Sequence, residues 1–268
     1  PNTSAYRPMA RSNPTAINTK DDIVSSAMQP ISLEFFPPKT EAGRSKLIEQ
    51  TLPALASLNP EYCSVTYGAG GSTRDTTIGV VSSLQMAGQD VAPHLSFGSD
   101  DEDTLLALLQ RYKAAGVERL VALRGDLPSG MGGAGQLVHA NELIAFIRKH
   151  TGDHFKIAVA AYPETHPQAK NYDADIGYLK QKIDAGADAA ITQFFYNVES
   201  YFYFLDRCQA AGIAQPIHPG IMPIVNFTNL ERFAGACGAE IPRWIRQRVA
   251  AFGDDQESIR QFGIDVVT

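Results

Sequence analysis

A repeated helix ending is the feature that most constrains what this sequence can fold into. Four segments with helical apolar spacing end in the same dipeptide: Ala87-Gly88, Ala115-Gly116, Ala185-Gly186 and Ala211-Gly212. Glycine at this position closes a helix because it adopts the left-handed conformation easily. A short apolar run typical of a strand follows each of them. This repeat, roughly 25 to 35 residues long, indicates parallel strands joined by crossover helices.

Seven strands are predicted from residue 31 onward, and seven such repeats favour an α/β barrel of the TIM type over an open sheet. The predicted strands are ISLEFF (31–36), YCSVTYG (62–68), VAPHLSF (91–97), LVALRGD (120–126), KIAVAAY (156–162), AAITQFF (189–195) and PIHPGIM (216–222). Residues 1–30 are rich in Ser, Thr, Asn and Pro and have no periodic pattern. We expect them to form a disordered N-terminal tail rather than a targeting signal.

Charge and cysteine usage narrow the class of partner. The formal net charge is -6, whereas proteins that bind nucleic acid or anionic membranes need clustered Lys and Arg. No apolar run approaches the ~20 residues of a membrane helix. The three cysteines are too scattered for a disulfide framework or a structural zinc site. These features predict a cytoplasmic protein that binds small molecules, with no nucleic-acid or membrane partner.

Polar residues at the ends of the predicted strands mark a candidate site. Side chains alternate between the two faces of a strand, and this alternation places six polar residues on the inner face near the C-terminal strand ends: Glu34, Thr66, His94, Asp126, Tyr162 and Gln193. The strand LVALRGD also delivers Arg124 to this end. Barrel enzymes assemble their chemistry at the C-terminal rim, so these residues form the predicted active site.

Glu34 is the candidate acid of this site. The neighbouring Phe35, Phe36 and Pro37 make its surroundings apolar, and such surroundings raise the pKa of a carboxyl toward that of a working acid. The alternative is an interior carboxylate with satisfied hydrogen bonds and no catalytic task.

The other inner residues have both structural and functional interpretations. His94 either bonds a neighbouring strand or serves the site, but no second histidine at ligand spacing supports a metal. Tyr162 and Gln193 either fill polar gaps at the barrel mouth or bind a heteroaromatic ring that has several donors and acceptors. No nucleophilic triad is evident.

Two glycine-rich turns add little to this prediction. GAGGST (68–73) lacks the third glycine of a dinucleotide-binding fingerprint. The loop at 129–135 is either a mobile cover of the site or a tolerated insertion.

Six motifs together resemble the methylenetetrahydrofolate reductase family, in its bacterial single-domain form. They are LEFFPPK (33–39), SVTYGAGGS (64–72), ALRGDLP (122–128), VAAYPETHP (159–167), ITQFFYN (191–197) and PGIMPIVNF (219–227). The resemblance implies a (β/α)8 barrel that binds FAD and reduces 5,10-methylenetetrahydrofolate to 5-methyltetrahydrofolate with NAD(P)H. It also implies a homo-oligomer.

The resemblance assigns roles to individual residues. It implies that Glu34 is the general acid for opening of the folate ring, and that Asp126 binds the pterin and tunes the flavin. Gln193 and Phe227 correspond to folate contacts. The expected FAD contacts are Thr66, His94, Arg124, Gly125, Asp126, Ala140, Tyr162, His166, Asp175 and Lys182. Asp175 and Lys182 are seven residues apart on a predicted helix, so both can face the same end of the cofactor.

One departure from the family leaves alternatives open. The family continues into a further strand and helix with an HFYTLNR-like motif, and nothing in residues 1–268 matches it. We therefore expect the barrel at 31–268 to lack its last strand, with residues 254–268 as the helix before it. Two other functions remain possible: a different flavin barrel, such as one similar to proline dehydrogenase, and a truncated flavin- or folate-binding protein without turnover.

Overall fold

The computed structural model of the protein describes residues 30–67, 74–96, 101–124 and 139–268. The strands in these ranges are β1 (Ser32–Phe35), β2 (Tyr62–Val65), β3 (Val91–Ser96), β4 (Arg119–Leu123), β5 (Lys156–Ala161), β6 (Ala189–Thr192) and β7 (Ile217–His218). The helices are α1 (Glu41–Lys46), α2 (Leu52–Leu55), α3 (Arg74–Met86), α4 (Glu102–Ala114), α5 (Ala140–Thr151), α6 (Tyr172–Asp184), α7 (Val198–Ala210), α8 (Phe227–Cys237), α9 (Arg243–Phe252) and α10 (Gln256–Val267).

The strands form a curled parallel sheet in the order β1 to β7, so β1 and β7 are its edges. This order, with helices between the strands, is the architecture of a TIM-type barrel, and the described residues supply seven strands of it. The predicted fold class is confirmed. Since all strands run the same way, their C-terminal ends meet at one rim.

The repeated Ala-Gly endings have the predicted conformation. The four glycines that follow α3, α4, α6 and α7 have φ angles in the left-handed region: Gly88 at 82°, Gly116 at 76°, Gly186 at 113° and Gly212 at 75°. Each lets the chain leave its helix and enter the next strand.

Several strands end earlier than predicted, among them β1 and β2, and tertiary contacts explain the early ends of the last two. β6 ends at Thr192, and β7 contains only Ile217 and His218. Pro219 has no N–H to extend the ladder, and the Gly220 N–H donates to Thr192 Oγ1 at 2.9 Å. A Cβ on Gly220 would lie 2.2 Å from the Thr192 carbonyl oxygen. The chain therefore leaves the sheet after β7 and crosses closely over the end of β6.

The apolar interior has two parts. The larger cluster packs the sheet against α3 to α7, and a smaller one unites α8, α9 and α10 with Phe194 and Ile224. The helix predicted at 254–268 is observed as α10. In the described ranges, no helix combines the length and the apolar character needed to cross a membrane.

Candidate functional site

Glu34, Thr66 and His94 come together at the rim above β1, β2 and β3. The ladder continues one residue past β2, because the Thr66 N–H donates to the Phe35 carbonyl at 3.0 Å. His94 lies within β3 and its Nε2 atom is 3.4 Å from Glu34 Oε2. The predicted inward orientation of these three residues is consistent with this grouping.

The pKa expected for Glu34 was wrong in direction. Burial is the largest single influence and raises the pKa of this carboxyl, but the polar contact with His94, the charge of that ring and a hydrogen bond with Ser64 together lower it below its ordinary value. The apolar neighbours along β1 alone predict a raised pKa. The opposing groups lie on β2 and β3, where local sequence does not show them.

Two buried polar atoms in this group have no hydrogen-bond partner among the described residues. They are Thr66 Oγ1 and His94 Nε2, in residues that are 5% and 7% exposed. The approach of His94 to Glu34 is thus an electrostatic contact rather than an aligned hydrogen bond. A buried polar atom without a partner costs free energy, so both atoms are suited to a bound ligand.

A second group lies above β4 and β5. Arg124, directly after β4, donates from Nη2 to Gln168 Oε1 at 2.5 Å. The Gln168 N–H donates to His166 Nδ1 at 3.0 Å. The rings of Tyr162 and His166 meet edge to face, with centroids 4.5 Å apart. These contacts join the end of β4 to the loop between β5 and α6.

Asp175 and Lys182 tie α6 to the same loop and strand. Asp175 Oδ2 accepts from the His166 backbone N–H at 2.8 Å, and Lys182 Nζ donates to the Ala160 carbonyl in β5. Burial raises the pKa of Asp175 and lowers the pKa of Lys182 to about 8. Both residues contact the segment formed by β5 and the loop that follows it; that they face one end of the cofactor stays a prediction.

Gln193 shares a small cavity with Tyr162, whereas Phe227 lines a separate cavity with residues of α9 and α10. The Gln193 N–H donates to the Ala161 carbonyl at 2.8 Å, which extends the ladder past β6. Its side-chain oxygen accepts from the Phe194 N–H at 3.0 Å. The amide nitrogen makes no hydrogen bond within the described residues, so it is the end available to a ligand. Phe227 is the first residue of α8 and packs against the small apolar cluster.

Some expected site residues are not joined to these groups or are not described. Ala140 is the first residue of α5, and the described contacts do not connect it to the other candidates. Gly125 and Asp126 lie outside the described residues, as do the turn at 68–73, the loop at 129–135 and the first 29 residues.

Two residues of the rim were not singled out from the sequence. Ser64 shares the inner face with Thr66 by strand alternation, and its position opposite Glu34 follows from strand register. Gln168 carries no local signal, since it meets Arg124 only through the fold. In the described part of the chain, no three His, Cys, Asp or Glu residues are arranged to hold a metal ion.

Comparison with known proteins shows the family of this chain. The family model for methylenetetrahydrofolate reductase matches residues 19–268. The chain belongs to the methylenetetrahydrofolate reductase family. It is 42% identical over 237 residues to 5,10-methylenetetrahydrofolate reductase of Escherichia coli K12, an alignment that covers 88% of this chain and 78% of that enzyme. Methylenetetrahydrofolate reductase (NADH) 1 of Zea mays is 38% identical over 251 residues, covering 88% of this chain and 42% of that protein.

A solved structure supports the fold assigned to this reductase-family chain. An uncharacterized protein from Clostridium thermocellum that binds two copies of 5-methyl-5,6,7,8-tetrahydrofolic acid matches with a TM-score of 0.67 and 21% identity. The match covers 92% of this chain and 84% of that one. At this identity the likeness concerns the fold alone.

Proposed function

We propose that this protein reduces 5,10-methylenetetrahydrofolate to 5-methyltetrahydrofolate, with FAD as cofactor and NADH as electron donor. The family to which the chain belongs supports the reaction. The observation that carries the proposal is the meeting of Glu34 and His94 at 3.4 Å on one side of a rim. Arg124 and His166 lie on the other side of this rim, where both are hydrogen-bonded to Gln168.

The residues present fit a flavin dinucleotide. Thr66 Oγ1 and His94 Nε2 are buried atoms that lack a hydrogen bond in the described ranges, and a heteroaromatic ring offers both donors and acceptors to them. On the other side, Arg124 and Lys182 supply positive charge that attracts a diphosphate. Bound FAD would supply the hydride chemistry that links the nicotinamide to the folate.

Glu34 holds the proton that folate ring opening requires. In the structure His94 and Ser64 lower the pKa of Glu34 although partial desolvation opposes them, and the side chain is 49% exposed. A ring that bonds to the His94 nitrogen would weaken the strongest of these contacts and would cover the exposed part of the carboxyl. The pKa of Glu34 then rises, so that a larger fraction of the carboxyl carries the proton when the ligands are bound.

Gln193 and Phe227 orient the folate. The free amide nitrogen of Gln193 donates to a pterin acceptor, and the Phe227 ring at the start of α8 offers a face for stacking. Asp126 follows Arg124 by two residues, and we assign it the remaining carboxylate contact with the pterin and flavin. NADH is preferred to NADPH because the maize relative carries NADH in its name.

The visible absorption spectrum of the purified chain tests the proposal. The protein, loaded with FAD, is mixed anaerobically with NADH and then with methylenetetrahydrofolate. We expect the yellow colour to bleach with NADH and to return with the folate. NADPH in place of NADH tests the choice of donor.

Each contrary result points to a different protein. A yellow protein that does not bleach with NADH belongs to another class of flavin barrel, such as one similar to proline dehydrogenase. Bleaching without recovery means that flavin and NADH bind but folate is not reduced. A protein that does not take up FAD contradicts the cofactor assignment.

A further inference from the structure

Glu164 stands out among the half-buried carboxyls that the proposed reaction does not use. It follows β5 in the loop that carries Tyr162 and His166. Its Oε2 atom accepts a hydrogen bond from the Glu240 backbone N–H at 2.7 Å. Its Oε1 atom is buried without a hydrogen bond in the described part of the chain. The bond joins two segments that are 76 residues apart in the sequence.

The two segments are fitted closely at a second point. Gly238, directly after α8, has a φ of 73°, and a Cβ there would lie 2.3 Å from Pro167 Cγ. Thr165, beside Glu164, is a non-glycine residue with a φ of 72°. Such a conformation costs about 1 kcal/mol or more and persists where surrounding contacts enforce it. The loop after β5 is therefore shaped against the end of α8.

This junction borders two residues to which we assign ligand contacts, Tyr162 and Gln193. Tyr162, Glu164, Gln193 and Gly238 line one small cavity. Phe233 of α8 stacks on Phe194, the neighbour of Gln193, with ring centroids 5.7 Å apart. Helix α8, which begins with Phe227, is thus held against the rim by one stacked ring pair and by the Glu164 bond.

We propose that Glu164 is a positioning residue for the folate, because it fixes the end of α8 against the loop after β5, beside Gln193. This inference rests on the proposed function and goes beyond it, since it assigns Glu164 a role through the Glu240 backbone and α8 rather than through contact with a ligand. Burial and the neighbouring Glu240 carboxylate raise the pKa of Glu164, while the backbone hydrogen bond opposes them. The Glu164 carboxyl therefore lies where desolvation disfavours its charged form. Perturbed carboxyls of this kind are common at functional positions.

Two substitutions separate the positioning role from general stability. Glu164→Ala removes the acceptor, so we expect the Kd for 5-methyltetrahydrofolate to rise about tenfold, the usual effect of losing one such hydrogen bond. The Kd for FAD should change less than about threefold. Glu164→Gln retains an acceptor oxygen of the same shape and should restore folate binding. Glu240→Gln is the matched control, because it changes an exposed side chain and leaves the donating N–H in place.

Hydrogen exchange reports on the bond itself. We expect the Glu240 amide to exchange faster in Glu164→Ala and at the wild-type rate in Glu164→Gln. Folate binding that is unchanged in Glu164→Ala overturns the inference, and so does failure of Glu164→Gln to restore binding. Wild-type protein that binds no folate rejects the proposed function and the inference together, whereas the first two results reject the inference alone.

Discussion

Two arginines at opposite ends of the barrel strands have very different surroundings. Arg148, on α5 at the N-terminal end, donates to the Gly186 carbonyl and to the Phe155 carbonyl, both at 2.7 Å. It also pairs with Asp188 at 2.7 Å. Arg124, at the C-terminal end of β4, is exposed and makes a single hydrogen bond among the described residues, to Gln168.

The difference separates structural from functional polar groups. Asp188 also accepts the Ile157 N–H at 2.6 Å, so the Arg148 cluster satisfies its own donors and acceptors and locks α5 to β5 and β6. At the other end, Thr66 and His94 have buried atoms without hydrogen bonds in the described residues. In a barrel, the N-terminal end contributes stability and the C-terminal rim contributes function. Substitutions at the two ends of the strands test this division.

The largest effect is expected at Glu34. Glu34→Gln removes the proton donor from the rim, and general acid catalysis contributes about 10²–10⁴-fold. We expect folate reduction to fall by about 10³-fold, while bleaching by NADH and stability remain. Stopped-flow measurement of the two half-reactions checks this result. Glu61→Gln is the control, because Glu61 pairs with Arg119 at the opposite end of the strands; equal losses in both variants would refute the acid role.

The next effect concerns stability. Arg148→Met removes the donor to three backbone carbonyls and to the Asp188 carboxylate. We expect the free energy of unfolding to fall by about 2–3 kcal/mol. The affinity for FAD should not change. Urea denaturation of the FAD-free protein measures the first quantity and flavin fluorescence the second. Lys149→Met, on the exposed face of α5, should have little effect on either. An unchanged unfolding midpoint in Arg148→Met would show that the Arg148 contacts do not stabilise the fold.

The sequence predicted the fold more accurately than the details of the rim. The repeated Ala-Gly endings and strand alternation are local signals, and they located β1 to β7 and the grouping of Glu34 with His94. The ends of β6 and β7 were placed too late in the chain because they depend on the contact between Gly220 and Thr192. No local pattern contains such a contact.

The chemistry of individual groups was harder to predict for the same reason. The pKa of Glu34 depends on His94 and Ser64, which are distant in sequence. The interactions of Arg148 with Gly186 and of Glu164 with Glu240 are likewise set by the packing of separate segments. Residue types at strand ends can be recognised from the sequence, but their partners require the three-dimensional structure.

A smaller effect is expected at Arg124. Arg124→Met removes the positive charge closest to the end of β4, and we expect FAD affinity to fall about tenfold or somewhat more, as for loss of a charge-assisted hydrogen bond. Stability should change by less than about 0.5 kcal/mol, as is usual for an exposed side chain. Arg119→Met is the matched control, because Arg119 begins the same strand at its other end and pairs with Glu61. If both variants weaken FAD binding equally, the effect is one of overall charge.

The smallest expected effect is a pH dependence of FAD binding, caused by the titration of Lys182. Burial lowers the pKa of this lysine to about 8, so its charge is present below that pH and is lost above it. An ammonium group attracts the diphosphate of FAD and a neutral amine does not. The Kd for FAD should therefore rise as pH increases through 8 and then level off, by about threefold to fivefold in all, which is less than the effect of Arg124→Met.

Fluorescence titration with FAD between pH 6.5 and 9.5, a range of about 1.5 units around this pKa, measures the curve. Lys182→Met should bind FAD more weakly at pH 7 and show no such rise. Lys180→Met is the control, because Lys180 lies on the same helix and pairs with Asp184 at the surface. If the wild-type curve is as flat as that of Lys182→Met, Lys182 does not bind FAD. Its role is then structural, through its hydrogen bond to the Ala160 carbonyl of β5.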